Sequence, residues 1–458
     1  MSHTEEDTIV AIATPRGRGG IAIIRLSGPQ SLKVAQQISG ISPKPRFAHF
    51  RQFKDGNEVI DEGIVLYFPA PHSYTGEDIL ELQGHAGNIV PYRVMEAVLK
   101  IPGVRQAEPG EFTKRAFLNG RMDLTSAEAV EDLISAGSNS AAKAAMASLD
   151  GAFSKDMEKI TDQITMFRVR IEGCLDFPEE HEDFFDSGRA NSEIQVIINL
   201  SDLAIKRATQ GIKLNDGARI VLSGAPNAGK SSLLNALSGS ESAIVTNIPG
   251  TTRDILSINI ELDGVPLMIT DTAGIRDTPS DEIEAIGIRK ALEALKLADL
   301  VIFMLDGSAL LPNENEILSR LDELKKQSTP VLIAVSKSDL PLHSSVESFL
   351  SSDRLSSFTK VRISVKKTDG LKELKKAVSL GLGIMPVEGV YSARARPLSE
   401  LKNAHLALIR AKEMLTFGDL VLGAQEMRCA QDHIGAITGK ITSDDILGKI
   451  FSTFCIGK

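Results

Sequence analysis

Gly224-Ala-Pro-Asn-Ala-Gly-Lys-Ser231 carries the spacing G-x-x-x-x-G-K-[ST]. It follows an apolar run, Ile220–Ser223, and opens a helical pattern, Ser232–Leu237. That is the strand–loop–helix setting a phosphate-cradling loop requires. The glycines let successive backbone N–H groups converge on phosphate oxygens, and the helix N-terminus adds a favourable dipole. Lys230 is expected to reach the β- and γ-phosphates and Ser231 to ligate Mg²⁺.

Working outward, the next pieces fall in the order a nucleotide switch needs. Asp271-Thr-Ala-Gly274 follows the run Leu267–Thr270. An acid at a strand end can hold Mg²⁺ through water, and Gly274 can offer its N–H to a γ-phosphate. Between the two lies Gly250-Thr-Thr-Arg-Asp254, where a threonine can close over Mg²⁺ only when that phosphate is present. Ser336-Lys-Ser-Asp339 follows Val331–Val335 and is similar to the N-K-x-D guanine signature, with serine in place of asparagine. The Asp339 carboxylate can accept two donors from a guanine edge, which adenine does not supply. Ser364-Val-Lys366 is expected to be the last guanine-contacting turn. Alternating strand and helix patterns over residues 216–380 predict an α/β P-loop domain with a mainly parallel sheet.

The flanks have other periods. Residues 1–120 alternate short β-like runs (Thr8–Ala13, Gly20–Leu26, Ile64–Phe68, Ile79–Leu82) with helical patterns at Ser31–Ile38 and Val90–Leu99, which predicts an α+β domain with a mostly antiparallel sheet. Residues 121–215 and 381–458 read as helical. Thr125-Ser-Ala-Glu128 has capping-box spacing, and Leu401, Ala404, Leu408, Ala411 and Leu415 mark one helix face, with a break expected near 435–442. The economical organisation is one α-helical domain interrupted by the inserted α/β domain; two separate helical domains would read alike. The loop at 176–189 is acidic and holds His181. It reads as a solvated loop, with a metal site as the alternative.

Composition excludes several classes. The chain has 458 residues, 42% hydrophobic and 24% charged, which fits a soluble multidomain protein and not a disordered or collagen-like one. Three scattered cysteines, Cys174, Cys429 and Cys455, cannot form a disulfide scaffold and suit a reducing cytoplasm. No window approaches the roughly 18 apolar residues needed to span a membrane. The acidic N-terminus does not read as a signal peptide, and Cys455-Ile-Gly-Lys458 is a poor prenylation box. The net charge of −9 gives no nucleic-acid signal, so any basic patch must be local.

Ras-like proteins place a water-orienting glutamine directly after D-x-x-G. Here that position is Ile275, which cannot align a water. Another group must do so, and a cation must offset transition-state charge; Arg253 and Arg276 are nearby candidates that can equally pin loops. At this point the chain resembles the MnmE/TrmE family of tRNA modification GTPases over essentially its whole length. The matching segments are Thr8-Ile-Val-Ala-Ile-Ala-Thr14, Gly17-Arg-Gly-Gly20, Tyr74-Thr-Gly-Glu-Asp78, Glu81-Leu-Gln-Gly-His85, Pro109-Gly-Glu-Phe112, Arg115-Ala-Phe-Leu-Asn119, Thr442-Ser-Asp-Asp-Ile-Leu-Gly448 and Phe454-Cys-Ile-Gly-Lys458.

The resemblance implies a folate-binding, dimer-forming N-terminal domain, a helical domain and a G domain inserted into it. It implies that K⁺ takes the arginine-finger role and that G domains pair across a homodimer. K⁺ ligands carry over to Asn227, Thr246, Ile248 and Thr251, Mg²⁺ ligands to Ser231 and Thr252, and the water-positioning acid to Glu284, with Glu282 as its rival. Asn227 also reads as a plain turn residue. The wider GTP-binding set is Asn227, Ala228, Gly229, Lys230, Ser231, Ser232, Thr246, Asn247, Ile248, Pro249, Gly250, Thr251, Thr252, Asp271, Thr272, Ala273, Gly274, Ser336, Lys337, Ser338, Asp339 and Ser364. Lys230 and Glu284 are the expected catalytic pair.

The family's tetrahydrofolate derivative (5-formyl- or methylene-tetrahydrofolate) would be held by Arg25, Glu81, Arg121 and Lys458. Arginine or lysine suits the glutamate tail and a carboxylate suits the pterin donors. Arg121 stands where lysine is common. Cys455 reads as a nucleophile or as a small structural residue. The implied activity is modification of carbon 5 of the wobble uridine of certain tRNAs in the cytoplasm, together with a flavoprotein partner, MnmG (GidA). Two alternatives use the same G domain: an Era-like ribosome-assembly GTPase, disfavoured because no GXXG loop follows residue 380, and a G-protein scaffold that only dimerises.

Overall fold

The computed structural model describes residues 7–176, 188–238, 257–271, 294–311, 313–326, 329–367, 369–384, 388–440 and 444–457. The chain forms two compact units, each discontinuous in sequence. Met1–Glu131, Leu149–Ser201 and Ser399–Lys458 make one; Asp132–Ser148 and Asp202–Leu398 make the other.

The first unit holds a six-stranded sheet of β1 (Thr8–Ile12), β2 (Ile21–Ser27), β3 (His49–Asp55), β4 (Glu58–Phe68), β5 (Ile79–His85) and β6 (Val104–Gln106), in the order β3-β4-β5-β2-β1-β6. Only the β1–β6 pair is parallel, so the sheet is mostly antiparallel as expected. Helices Ser31–Ser39 and Val90–Leu99 cover one face, where Ile24, Leu26, Leu80 and Leu82 meet Val34, Ile38, Val94 and Val98. Burying each such side chain contributes about 1.5–3 kcal/mol. β3 is not anticipated from sequence, because Phe53 is its only buried side chain and the alternation is correspondingly faint.

The helical part of this unit follows the same logic. Helix Ala152–Asp176 buries Met157, Ile160, Ile164, Phe167, Ile171 and Cys174, at steps of three and four. Helix Ala395–Thr416 buries the five predicted residues from Leu401 to Leu415. A break falls earlier than expected: Gly418 takes φ 84° and the Asp419 side chain accepts from Leu422 N, starting helix Leu420–Thr438. Gly439, at φ 86°, ends that helix near the predicted interruption. The cap expected at Thr125 is displaced to Asp123. Its Oδ1 accepts from Ser126 N at 2.8 Å, and Thr125 lies inside the first turn of helix Leu124–Ser135.

The second unit holds β7 (Ala218–Gly224), β8 (Ser257–Leu262), β9 (Val265–Asp271), β10 (Leu300–Asp306), β11 (Val331–Ser336) and β12 (Thr359–Arg362), in the order β12-β11-β10-β7-β9-β8. All pairs are parallel except β8–β9. β10 shows why. Leu300, Ile302 and Met304 pack with Leu233 and Leu237, while Val301, Phe303 and Leu305 pack with Leu321 and Phe349. A strand buried on both faces needs helices on both sides, which right-handed crossovers supply. β8 and β12 are edge strands that the apolar runs do not reveal. Among the described residues no helix is long and apolar enough to cross a membrane. The acidic loop around His181 lies outside the described residues.

Candidate functional site

β7 ends at Gly224, and helix Lys230–Ser238 begins after a five-residue loop. Two glycines are required here. Gly224 takes φ 136°, and a Cβ on it would come within 2.3 Å of Met304 O. Gly229 takes φ 96°. Asn227 is also left-handed, at φ 64°, a conformation asparagine tolerates better than most residues.

Lys230 is 7% exposed, and its Nζ donates to Gly224 O at 2.8 Å and Ala225 O at 3.0 Å. Burial pushes this ammonium below its usual range, with Asp271 acting in the opposite sense. The lysine is therefore folded back on the loop it must support, ready to exchange carbonyls for phosphate oxygens. Ser231 Oγ donates to Asp271 Oδ2 at 3.0 Å. Asp271 is 2% exposed, and its Oδ1 is buried with no hydrogen-bond partner among the described residues. An orphaned carboxylate oxygen beside a hydroxyl is costly in an apolar interior and fits an arrangement built to hold a hydrated cation. Mg²⁺ thus suits Ser231 and Asp271, where it would neutralise phosphate charge.

The base-recognition turn lies at the ends of β11 and β12. Ser336 is buried, and its hydroxyl donates to Leu305 O at 3.1 Å; it lies 3.6 Å from a Cβ built on Gly229. The serine is thus tied into the sheet beside the P-loop. Lys337, at φ 57°, pairs with Asp306 Oδ2 at 2.5 Å. Asp306 is a partner sequence reasoning missed, although a carboxylate closing the run Leu300–Leu305 was the available signal. Ser338 N donates to Ile363 O at 3.0 Å, fixing the turn against the next strand end. Ser364 Oγ donates to Asp339 Oδ1 at 2.7 Å and holds that carboxyl below the usual carboxylate range. A charged acceptor is thereby presented to solvent, as a guanine edge requires. Ser232 lies in the first turn of the helix opened by Lys230, and Ala228 is buried beneath the loop. Thr246, Asn247, Ile248, Pro249, Gly250, Thr251, Thr252, Thr272, Ala273, Gly274 and Glu284 lie outside the described residues, as does Lys458.

In the first unit Arg25 and Glu81 face each other across the β2–β5 ladder, with Arg25 Nε donating to Glu81 Oε1 at 2.9 Å. Gln83 Nε2 donates to Glu81 Oε2 at 3.0 Å. Arg25 lies 5.9 Å above the Tyr74 ring, whose hydroxyl meets Thr113 Oγ1 at 2.8 Å. Arg121 Nε donates to Ser73 O at 3.2 Å, so the 73–76 loop links the two arginines. The C-terminal segment closes on the same region. Gly110 N donates to Cys455 O at 3.3 Å, Pro109 bridges Ile456, and a Cβ on Gly457 would lie 2.7 Å from Ile12 O. Tyr74 and Gln83 are contributors that sequence reasoning did not single out, although both lie in segments quoted above. Cys455 is exposed and Cys174 is buried.

A cradle of left-handed loop residues, a buried lysine and an orphaned strand-end carboxylate on a mainly parallel sheet define a P-loop GTPase. Residues 8–121 match the GTP-binding protein TrmE N-terminus family and residues 124–455 the MnmE helical domain family. A curated relative from Vibrio vulnificus (strain YJ016), a tRNA modification GTPase MnmE, is 46% identical over 99% of this chain and 99% of its own. One from Pectobacterium carotovorum subsp. carotovorum (strain PC1), of the same description, is 44% identical over 100% of both chains. The solved structure of an Aquifex aeolicus Era variant bound to GDP.AlF4- aligns at 24% identity, covering 42% of this chain and 67% of that one, with a TM-score of 0.29. The chain belongs to the MnmE family of tRNA modification GTPases. The full-length matches favour tRNA modification over the ribosome-assembly alternative.

Proposed function

We propose that this GTPase is activated by K⁺ and modifies carbon 5 of the wobble uridine of certain tRNAs in the cytoplasm, together with a flavoprotein partner of the MnmG (GidA) type. The observation that carries the nucleotide half is the Ser231–Asp271 pair with its unsatisfied Oδ1 beside a loop that Lys230 already spans. Ser231 and Thr252 would hold Mg²⁺. Asn227, Thr246, Ile248 and Thr251 would hold K⁺, whose charge would stand where an arginine finger otherwise does. Asn227 supports this assignment because it takes a left-handed backbone, at φ 64°, without being a glycine. Glu284 would position water in place of the glutamine that Ile275 replaces.

The Arg25–Glu81 pair, Arg121 and Lys458 would bind a tetrahydrofolate derivative, which supplies the one-carbon unit. Arg25 and Arg121 suit anionic carboxylates, and Glu81 suits pterin donors. Docking of residues 451–457 beside Gly110 supports the inclusion of Lys458. A homodimer formed through the N-terminal domain accords with the exposed cross-strand pair Phe50 and Ile64.

The deciding experiment is nucleoside mass spectrometry of tRNA from a deletion strain. Loss of the modified wobble uridine is expected, and unaltered uridines would refute the assignment. GTP turnover in KCl against NaCl tests the cation, with equal rates sinking the role given to Asn227. Glu284→Ala should abolish turnover while nucleotide affinity stays near wild type.

A further inference from the structure

We propose that Arg16, Arg18 and Tyr92 form a contact site for single-stranded RNA, gripping phosphates with the arginines and stacking a base on the tyrosine. The inference rests on the tRNA-modification reading above and assigns the surface that serves it. An acidic chain can hold a polyanion only through a local cluster of cations.

The loop before β2 supplies such a cluster. Arg16 and Arg18 are both exposed, and neither has a carboxylate or hydrogen-bond partner among the described residues. The Arg16 guanidinium lies 5.9 Å above the half-buried Tyr92 ring. The loop is open around them: a Cβ built on Gly17 or Gly20 meets nothing within 4 Å. Gly17, at φ 127°, sets the turn between the two arginines. Two carboxylates near this rim are engaged, Asp61 by His85 at 2.7 Å and Glu58 by Arg93 at 2.6 Å. Two free guanidiniums beside an aromatic face are the chemistry that single-stranded RNA recognises.

Position strengthens the assignment. Ile21 pairs with His85 at the rim, and Arg25 pairs with Glu81 four residues along the same ladder. Even offsets put these residues on one face, about 13 Å apart at ~3.3 Å per residue. Tyr92 lies on the helix that covers the opposite face, so RNA held here would reach the Arg25–Glu81 face by crossing the rim.

The test is binding of unmodified tRNA to the full chain across a salt series, for wild type, Arg16→Ala/Arg18→Ala and Tyr92→Ala. The double variant should bind at least about tenfold more weakly, and its log K against log salt slope should be shallower by about 1.4, the value for two lost single-strand phosphate contacts. Tyr92→Ala should weaken binding at least about fivefold with the slope unchanged, and Tyr92→Phe should restore it. GTP turnover and 5-formyl-tetrahydrofolate affinity should stay at wild-type values, showing that the variants fold. Wild-type affinity and slope in the double variant would overturn the site while leaving tRNA modification standing. Loss of folyl-polyglutamate affinity with tRNA binding intact would reassign the rim to a folate tail. Absence of tRNA binding by wild type at low salt would overturn the site and the RNA reading together.

Discussion

Ser231 Oγ donates to Asp271 Oδ2 at 3.0 Å, while Asp271 Oδ1 has no partner among the described residues. One end of this carboxylate fastens the P-loop helix to β9, and the other has the chemistry to suit a hydrated cation. Asp271→Asn should fold, because the amide oxygen can still accept from Ser231. It should lower GTP turnover by about a hundredfold, ~2.7 kcal/mol of transition-state stabilisation. Scanning calorimetry provides the check: MgCl₂ with GDP should raise the melting temperature of wild type and leave that of the variant nearly unmoved.

Base selectivity is expected to depend on the hydroxyl that orients Asp339. Ser364 orients Asp339 through a 2.7 Å hydrogen bond. Ser364→Ala should weaken GDP binding about two- to tenfold, the range of one net hydrogen bond. Asp339→Asn exchanges an acceptor for a donor and should transfer preference to xanthine nucleotides, which carry a carbonyl where guanine has its amino group. Competition titration with GDP and XDP measures both, and unchanged GDP preference in Asp339→Asn would remove Asp339 from the site.

Acid stability of the N-terminal domain should trace to Arg115. It is 3% exposed and pairs with Asp7 at 2.7 Å, Glu77 at 3.0 Å and Glu111 at 3.1 Å. Burial works to raise the Asp7 and Glu111 carboxyls, and the guanidiniums of Arg105 and Arg115 more than reverse it, so both titrate below their ordinary values. Depressed carboxylates contribute stability that is present above their unfolded values and lost as pH falls through the folded ones. Wild type should therefore lose stability below about pH 4. Arg115→Met should cost roughly 3–5 kcal/mol at pH 7 and flatten that dependence, as read by urea unfolding at a series of pH values.

A single methyl group should loosen the cluster around Arg25 and Glu81. Gly110 takes φ 65°, and a Cβ there would lie 2.7 Å from Phe451 O and 2.9 Å from Phe454 Cβ. Gly110→Ala should cost ~1–3 kcal/mol and loosen the docked segment 451–457. Folate affinity should fall several-fold, with GTP turnover in the isolated chain unchanged. Equal folate affinity in the variant would detach the C-terminal segment from that site.

The nucleotide site was legible because its chemistry is local. Gly224 to Ser231 is one uninterrupted segment, Asp271 closes an apolar run that reads as a strand, and Asp339 follows another by three residues. Arg25, Glu81 and Arg121 are grouped in the sequence only through family resemblance, since they lie far apart and each alone reads as a surface ion. Tyr74 and Gln83 escaped because an aromatic and an amide have no diagnostic spacing. β3 and β12 escaped because these edge strands bury too little for alternation to show, β12 burying Val361 alone; β8 was missed although Ile258, Ile260 and Leu262 alternate. The Asp123 cap was missed because Thr125 and Glu128 offer the same spacing two residues later.

The pairing of Gly110 with Cys455 has a consequence for how the molecule comes into being. The N-terminal sheet emerges from the ribosome early, yet Phe451, Phe454 and Ile456 arrive on the order of 350 residues later, after the GTPase domain has had time to form. A nascent chain therefore waits with the Gly110 shelf bare, and a sheet translated early is completed only after the GTPase domain has left the ribosome.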